Sequence, residues 1–125
     1  WEAVITADHR TVEYLQKTGM EKIAQREHRA AQQCSEMLQD MGFSVFTGPH
    51  QASTVSFVPE TDCEEAAWLL AQQHIAVRAG LHCAPLAHES AGTAQSGTVR
   101  ISFGLDASAA QTEALRRALV RTGMT

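Results

Sequence analysis

Lysine is nearly missing from this chain. Lys17 and Lys22 are the only two in 125 residues, and no stretch is rich in Lys and Arg together. With a net charge of −4 and a pI of about 5.8, the sequence offers none of the basic clustering that attracts nucleic acid or an anionic membrane, so neither is expected as a partner. No apolar run approaches the length of a bilayer span, and no basic segment followed by an apolar stretch marks a signal peptide. The three cysteines are odd in number and irregular in spacing, which argues against a disulfide framework and makes a reducing cytoplasm the expected compartment. There is no internal repeat, no low-complexity segment and no strand–glycine-loop–helix signature for cradling phosphate. An initiating methionine is also absent. The sequence starts at Trp1, so either processing or origin as a piece of a longer protein is expected.

What is present suffices for one core. Hydrophobic residues make up 44% and charged residues 19%, a balance that excludes a disordered chain and predicts a single domain over residues 1–125. Residues 3–17 predict a helix with Val12 and Leu15 as apolar anchors, interrupted at Gly19. From Met20 to Met41 the apolar positions Ile23, Ala30, Ala31, Cys34, Met37, Leu38 and Met41 recur at spacings of three and four, one face of an amphipathic helix that Gly42 ends. The period then changes. Phe43–Phe46 and Ser53–Val58 predict strands, closed by Gly48-Pro49 and Pro59. Asp62 with Glu65 fits a capping box that opens a helix to about His74. Ile75–Ala79 predicts a strand ended by Gly80, Pro85 a short helix to about Glu89, and Thr98–Phe103 another strand. Ser108 with Gln111 opens a last helix to about Arg121. The expected fold is α/β, of the α+β kind: a small sheet of about four strands, mixed or mostly antiparallel, packed against helices.

Alternation along the strands directs attention to two arginines. Val99, Ile101 and Phe103 share one face, which leaves Arg100 on the other with Thr98 and Ser102. Ile75 and Val77 likewise leave Arg78 on the face of Ala76. Both guanidinium groups are expected on the same side of the sheet, away from the core. Either they are solvated surface charges, or they line a cleft and bind an anion, for which the planar guanidinium fork suits a carboxylate. Cys83 lies in the same neighbourhood, in R-A-G-L-H-C-A-P at 78–85. Arg78, His82 and a helix start at Pro85 are each able to favour the thiolate, the nucleophilic form. Gly80 and Pro85 point to a solvent-facing turn rather than a core position. Cys34 falls on the apolar stripe and reads as packing. Cys63 is set among Asp62, Glu64 and Glu65 and receives no role. His82, Cys83 and His88 match no common zinc spacing, so no metal is expected. His9, His28, His50 and His74 are scattered and expected to be solvent-exposed or capping.

The run I-A-V-R-A-G-L-H-C-A-P-L-A-H at 75–88, followed by G-T-V-R-I-S-F-G at 97–104, resembles the C-terminal segment of cysteine desulfurases, which belong to the class V aminotransferase group of pyridoxal-phosphate enzymes. E-Y-L-Q-K-T-G-M-E-K-I at 13–23 and T-V-S-F at 54–57 extend the similarity over nearly the whole chain. The resemblance implies the small C-terminal domain of a fold-type I enzyme. Cys83 would take sulfur from L-cysteine as a persulfide, giving L-alanine. Arg100 would grip the substrate carboxylate, Arg78 would support the loop beside the thiol, and His82 would play a supporting part. It also implies pyridoxal 5′-phosphate bound through a lysine of a preceding large domain, a homodimeric parent enzyme and a sulfur-acceptor protein as partner. Neither Lys17 nor Lys22 matches that lysine. G-L-D-A-S at 104–108 carries Ala107 and Ser108 where the family often has Asn-Thr. The piece alone is expected to be inactive. The competing expectations are a free-standing persulfide carrier, a non-catalytic interaction domain, and a related class V enzyme such as a selenocysteine lyase.

Overall fold

A computed structural model describes residues 2–50 and 52–124, with the backbone alone for residues 2–8. Helices α1 (Glu2–Thr18) and α2 (Met20–Asp40) are separated at Gly19, whose φ of +85° glycine adopts without the steric cost of a Cβ. The apolar stripe of α2 buries Ile23, Ala30, Ala31, Cys34 and Leu38, with Ser35 beside them. α1 departs from expectation. Leu15 is half-buried, but Val12 is 49% exposed and does not anchor the helix. The physical reason is placement: α1 packs on α2 rather than on the sheet.

Strands β1 (Ser44–Phe46) and β2 (Thr54–Val58) follow, then helix α3 (Cys63–Gln72), strand β3 (Arg78–Gly80), helix α4 (Pro85–Ala91), strand β4 (Thr98–Ser102) and helix α5 (Ala109–Thr122). The Asp62 carboxylate accepts from the amides of Glu64 and Glu65 at 2.9 and 3.2 Å, satisfying N–H groups that the helix cannot. At α5 the Ser108/Gln111 capping box is complete. The strand expected from Ile75 begins instead at Arg78. His74 takes a φ of +60° and the Ile75 N–H donates back to the Leu70 carbonyl at 3.0 Å, so the end of α3 uses the donor that pairing would need. Ile75 and Val77 still pack against the core.

The sheet order is β1-β2-β4-β3 and every pair is antiparallel. Val45, Phe57, Val99 and Ala79 align across one face, which α2 and α3 cover, with α5 packed against both helices. Leu38, Val55, Phe57, Leu70, Val99 and Leu119 are sealed between sheet and helices, and Phe43 meets Phe57 edge-on at 5.1 Å. On the opposite face one register row reads Phe46, Ser56, Arg100, Arg78. The arginines therefore share the side away from the core, as strand alternation predicts.

Cys34 and Cys63 are buried and Cys83 is exposed. Burial pushes the Cys34 thiol up to about 12, because the thiolate would lose its hydration. A thiol titration of the native chain should find one group, Cys83, reacting quickly with a small disulfide reagent, and all three in denaturant. Fast native modification of Cys34 would show that this core does not exclude solvent. Gly97 has a φ of +64°, and a Cβ there would fall 2.9 Å from the Cys63 sulfur and 3.3 Å from Gly80 Cα. Gly97→Ala combines left-handed strain with overpacking and should cost on the order of 2 kcal/mol in urea unfolding. An unchanged midpoint would contradict this close approach.

Candidate active site

β3 ends at Gly80 and the chain must reverse into α4 within a few residues. It does so in a tight turn in which the Leu81 carbonyl accepts from the Ala84 N–H at 2.9 Å. Both central residues are left-handed: His82 has φ +52° and Cys83 φ +59°. Two positive φ values are the signature of a type I′ turn, a position that Gly and Asn ordinarily fill. Each non-glycine residue there costs roughly 1–2 kcal/mol. The chain thus accepts strain to carry an imidazole and a thiol at the turn's apex, and Cys83 is exposed there. Pro85 then occupies the first turn of α4, with Ala84 as its cap.

Arg78 lies directly opposite Arg100 across β3 and β4. Like charges facing each other in this way repel. The ion pairs His9–Glu13, Arg116–Glu113 and Arg117–Glu113 involve neither of them. Arg100 is half-buried, and its Nε is buried with no hydrogen-bond partner among the described residues. A buried N–H left unbonded costs free energy, so an anionic acceptor arriving at Arg100 would relieve both the repulsion and the missing bond. The space for one is there. A concavity of about 420 Å³ is lined by Phe46, Ser56, Thr98 and Arg100 from the sheet and by His82 and His88 from the turn and α4.

His82 Nε2 lies 3.2 Å from the Thr98 hydroxyl, and its Nδ1 is buried without a partner. Burial first, and then the Arg100 charge, lower the His82 pKa against the opposing effect of Thr98, with His88 and Arg78 adding to the decrease. His82 is accordingly held neutral. Of the influences expected to favour a Cys83 thiolate, an imidazolium at position 82 is not one, because the same guanidinium that would attract an anion repels a second cation. His88, weighed in the sequence only as a metal ligand, is instead buried, hydrogen-bonded through Nδ1 to the Thr93 hydroxyl at 2.8 Å. Its ring centroid lies 6.0 Å from that of His82. Among the described residues no three His, Cys, Asp or Glu side chains converge as metal ligands. His9, His28, His50 and His74 are exposed and remote from the concavity.

Phe46 and Ser56 were not legible as site residues. Only the pairing of β1 and β2 with β4 brings them beside Arg100, from more than forty residues away in the chain. The strand pattern at 53–58 does signal that Ser56 faces away from the core. Nothing in the local sequence says what it faces.

The sequence and this geometry can be set beside known proteins. The family model for class-V aminotransferases matches residues 3–115. A cysteine desulfurase of Synechococcus elongatus is 42% identical over 76 residues, covering 58% of this chain and 12% of that protein. A probable cysteine desulfurase of Halalkalibacterium halodurans is 32% identical over 114 residues, covering 89% and 27%. The apo cysteine desulfurase of Thermococcus onnurineus superposes with a TM-score of 0.80 at 27% identity, over 88% of this chain and 28% of that one. The Escherichia coli cysteine desulfurase CsdA, in an S-sulfonic acid form, superposes with a TM-score of 0.79 at 26% identity, over 88% and 27%. The chain therefore spans 12% to 28% of the length of these relatives. On the match over residues 3–115, the chain belongs to the class-V aminotransferase family.

Proposed function

We propose that this chain contributes the substrate-gripping and sulfur-accepting half of a cysteine desulfurase active site. The observation that carries it is an exposed thiol on a strained two-residue left-handed turn, whose flanking residues His82 and Ala84 line one concavity with Arg100, the Nε of which is buried without a partner among the described residues. Arg100 binds the carboxylate of L-cysteine through its fork. Arg78, opposite it, adds positive potential at the mouth of the site. Cys83 attacks the substrate sulfur as its thiolate. The new S–S bond forms as the substrate C–S bond breaks, and the electron pair of that bond stays with the amino acid, where a proton completes L-alanine. Cys83 is left as a persulfide, which a thiolate of an acceptor protein can take in turn. His82, neutral, tethers the turn to Thr98.

Pyridoxal 5′-phosphate, on which the family generally depends, acts as an electron sink at the amino acid's α-carbon. This chain's residues do not fit its anchoring. Lys17 is on α1 and Lys22 on α2, within the layers behind the opposite face of the sheet. The cofactor would be held by a large domain of a longer, homodimeric parent protein. None of the described helices is long and apolar enough to cross a membrane, and a persulfide-forming thiol suits a reducing cytoplasm.

In that longer protein, Cys83→Ser should retain cysteine binding and lose alanine formation, read by amino-acid analysis. Arg100→Ala should lower kcat/KM for cysteine by about 10²-fold, the scale of losing charge-assisted hydrogen bonds. Undiminished alanine production by Cys83→Ser would remove the assignment. His82 also predicts a pH effect on this chain's stability. Its folded pKa lies below the ordinary value, so on acidification the unfolded chain takes up the proton first. Stability is intact above the ordinary histidine pKa of about 6.5 and declines as the pH falls through it. His82→Gln should flatten the change in urea midpoint between pH 7.5 and 5.5. An equal slope in both proteins would assign the loss to other groups.

A further inference from the structure

α4 has seven residues, too few to be stable alone. Its apolar residue Leu86 is 75% exposed. The only side chain it buries, among the described residues, is a histidine, His88. A helix that is docked by a polar residue depends on that residue's hydrogen bond, because a buried imidazole without one would be costly. His88 finds it in Thr93, itself buried, at 2.8 Å, and the Thr93 N–H donates back to the His88 carbonyl at 2.8 Å. The Thr93 carbonyl accepts from Gly97 at 2.9 Å, one residue before Thr98, and Thr98 bonds His82. On the other side the His88 N–H donates to the Ala84 carbonyl at 3.2 Å, directly after Cys83. The result is a closed circuit of bonds around the turn, from Thr98 through His82, Ala84, His88 and Thr93 to Gly97.

A two-residue left-handed turn persists only where its surroundings over-determine it. We propose that His88 and Thr93 form a positioning pair that holds the Cys83 turn, acting through α4 and through the His82 ring that His88 packs beside. For its catalytic consequence alone this rests on Cys83 being the sulfur-accepting thiol. The turn-holding role does not. Both residues also line the concavity, but the role argued here acts through the turn.

The test removes the Thr93 hydroxyl and nothing else. In this chain, Thr93→Val should raise the amide exchange rate of Ala84, the donor that closes the turn, at least tenfold. The amides of Val55 and Val99 in the core should keep their protection, and Thr93→Ser should restore Ala84. Thr93→Ala serves the same purpose if valine is not accommodated. In the longer protein, Thr93→Val should lower kcat at least tenfold, by a larger factor than any change in the KM for cysteine. Ala84 protection that is the same in all variants would overturn the pair's role. Faster Ala84 exchange with unaltered kcat would confine it to the turn and count against Cys83 as the acceptor, not against the clamp. Loss of protection at Val55 and Val99 together with Ala84 would show a general structural role and overturn the proposal as stated.

Discussion

Ala79 pairs with Val99, and from that one register the rest of the site follows. Both side chains enter the core face, so their neighbours Arg78 and Arg100 must leave on the other, opposite each other. Gly80 then faces Thr98, where its lack of a side chain lets the chain turn away immediately into Leu81–Ala84. A slip by one residue would drive Arg78 into the apolar layer between sheet and helices, at a cost far above anything a shifted ladder would return. The buried Val99 and Ile101 thus fix, at a distance, which face Arg100 takes and where the Cys83 turn begins.

The two faces of this sheet follow opposite logics. The covered face is apolar: Phe57, Val55 and Val99 exclude water there, and among the described residues the Thr112 hydroxyl of α5 is buried without a partner. The open face collects what a stable small domain would avoid. Two like charges oppose each other, a guanidinium Nε and an imidazole Nδ1 are buried unbonded, and two consecutive residues are left-handed. Each is unfavourable by itself, and Arg100 and His82, which carry the unbonded atoms, line one concavity. Functional sites are where such local conflict is retained. An anionic ligand at Arg100, as proposed, would answer the first two, and the His88–Thr93 and His82–Thr98 bonds would hold the third.

The electrostatics inside the concavity are one-signed. Burial first, and then the charge of Arg100, lower the His82 pKa, so the positive charge lining the concavity resides on a guanidinium. Binding of a carboxylate would then not depend on a titration near neutrality, while the stability of the turn would. The protonation state of His82 belongs to the turn, and the charge of Arg100 belongs to the ligand.

Local chemistry was readable from the sequence wherever it depends on near neighbours. The α2 stripe, the caps at Asp62 and Ser108, the exposure of Cys83 between Gly80 and Pro85, and the shared face of Arg78 and Arg100 all follow from periods of 3.6 and 2 and from turn residues. Where the sequence misled, a longer-range demand had prevailed. Val12 stays exposed because α1, among the described residues, packs chiefly on α2. The expected strand at Ile75 yields its first donor to the end of α3. The His82 pKa is lowered because the fold buries the ring and sets Arg100, eighteen residues on, beside it. The sequence by itself determined which residues turn outward and which inward, since alternation and helical phase are set by the chain's own geometry. Tertiary structure alone decided what those residues face: Phe46 and Ser56 against Arg100, and His88 against Thr93 and His82. Strand order and helix docking are settled by the burial of the whole apolar layer at once, and no local pattern contains that sum.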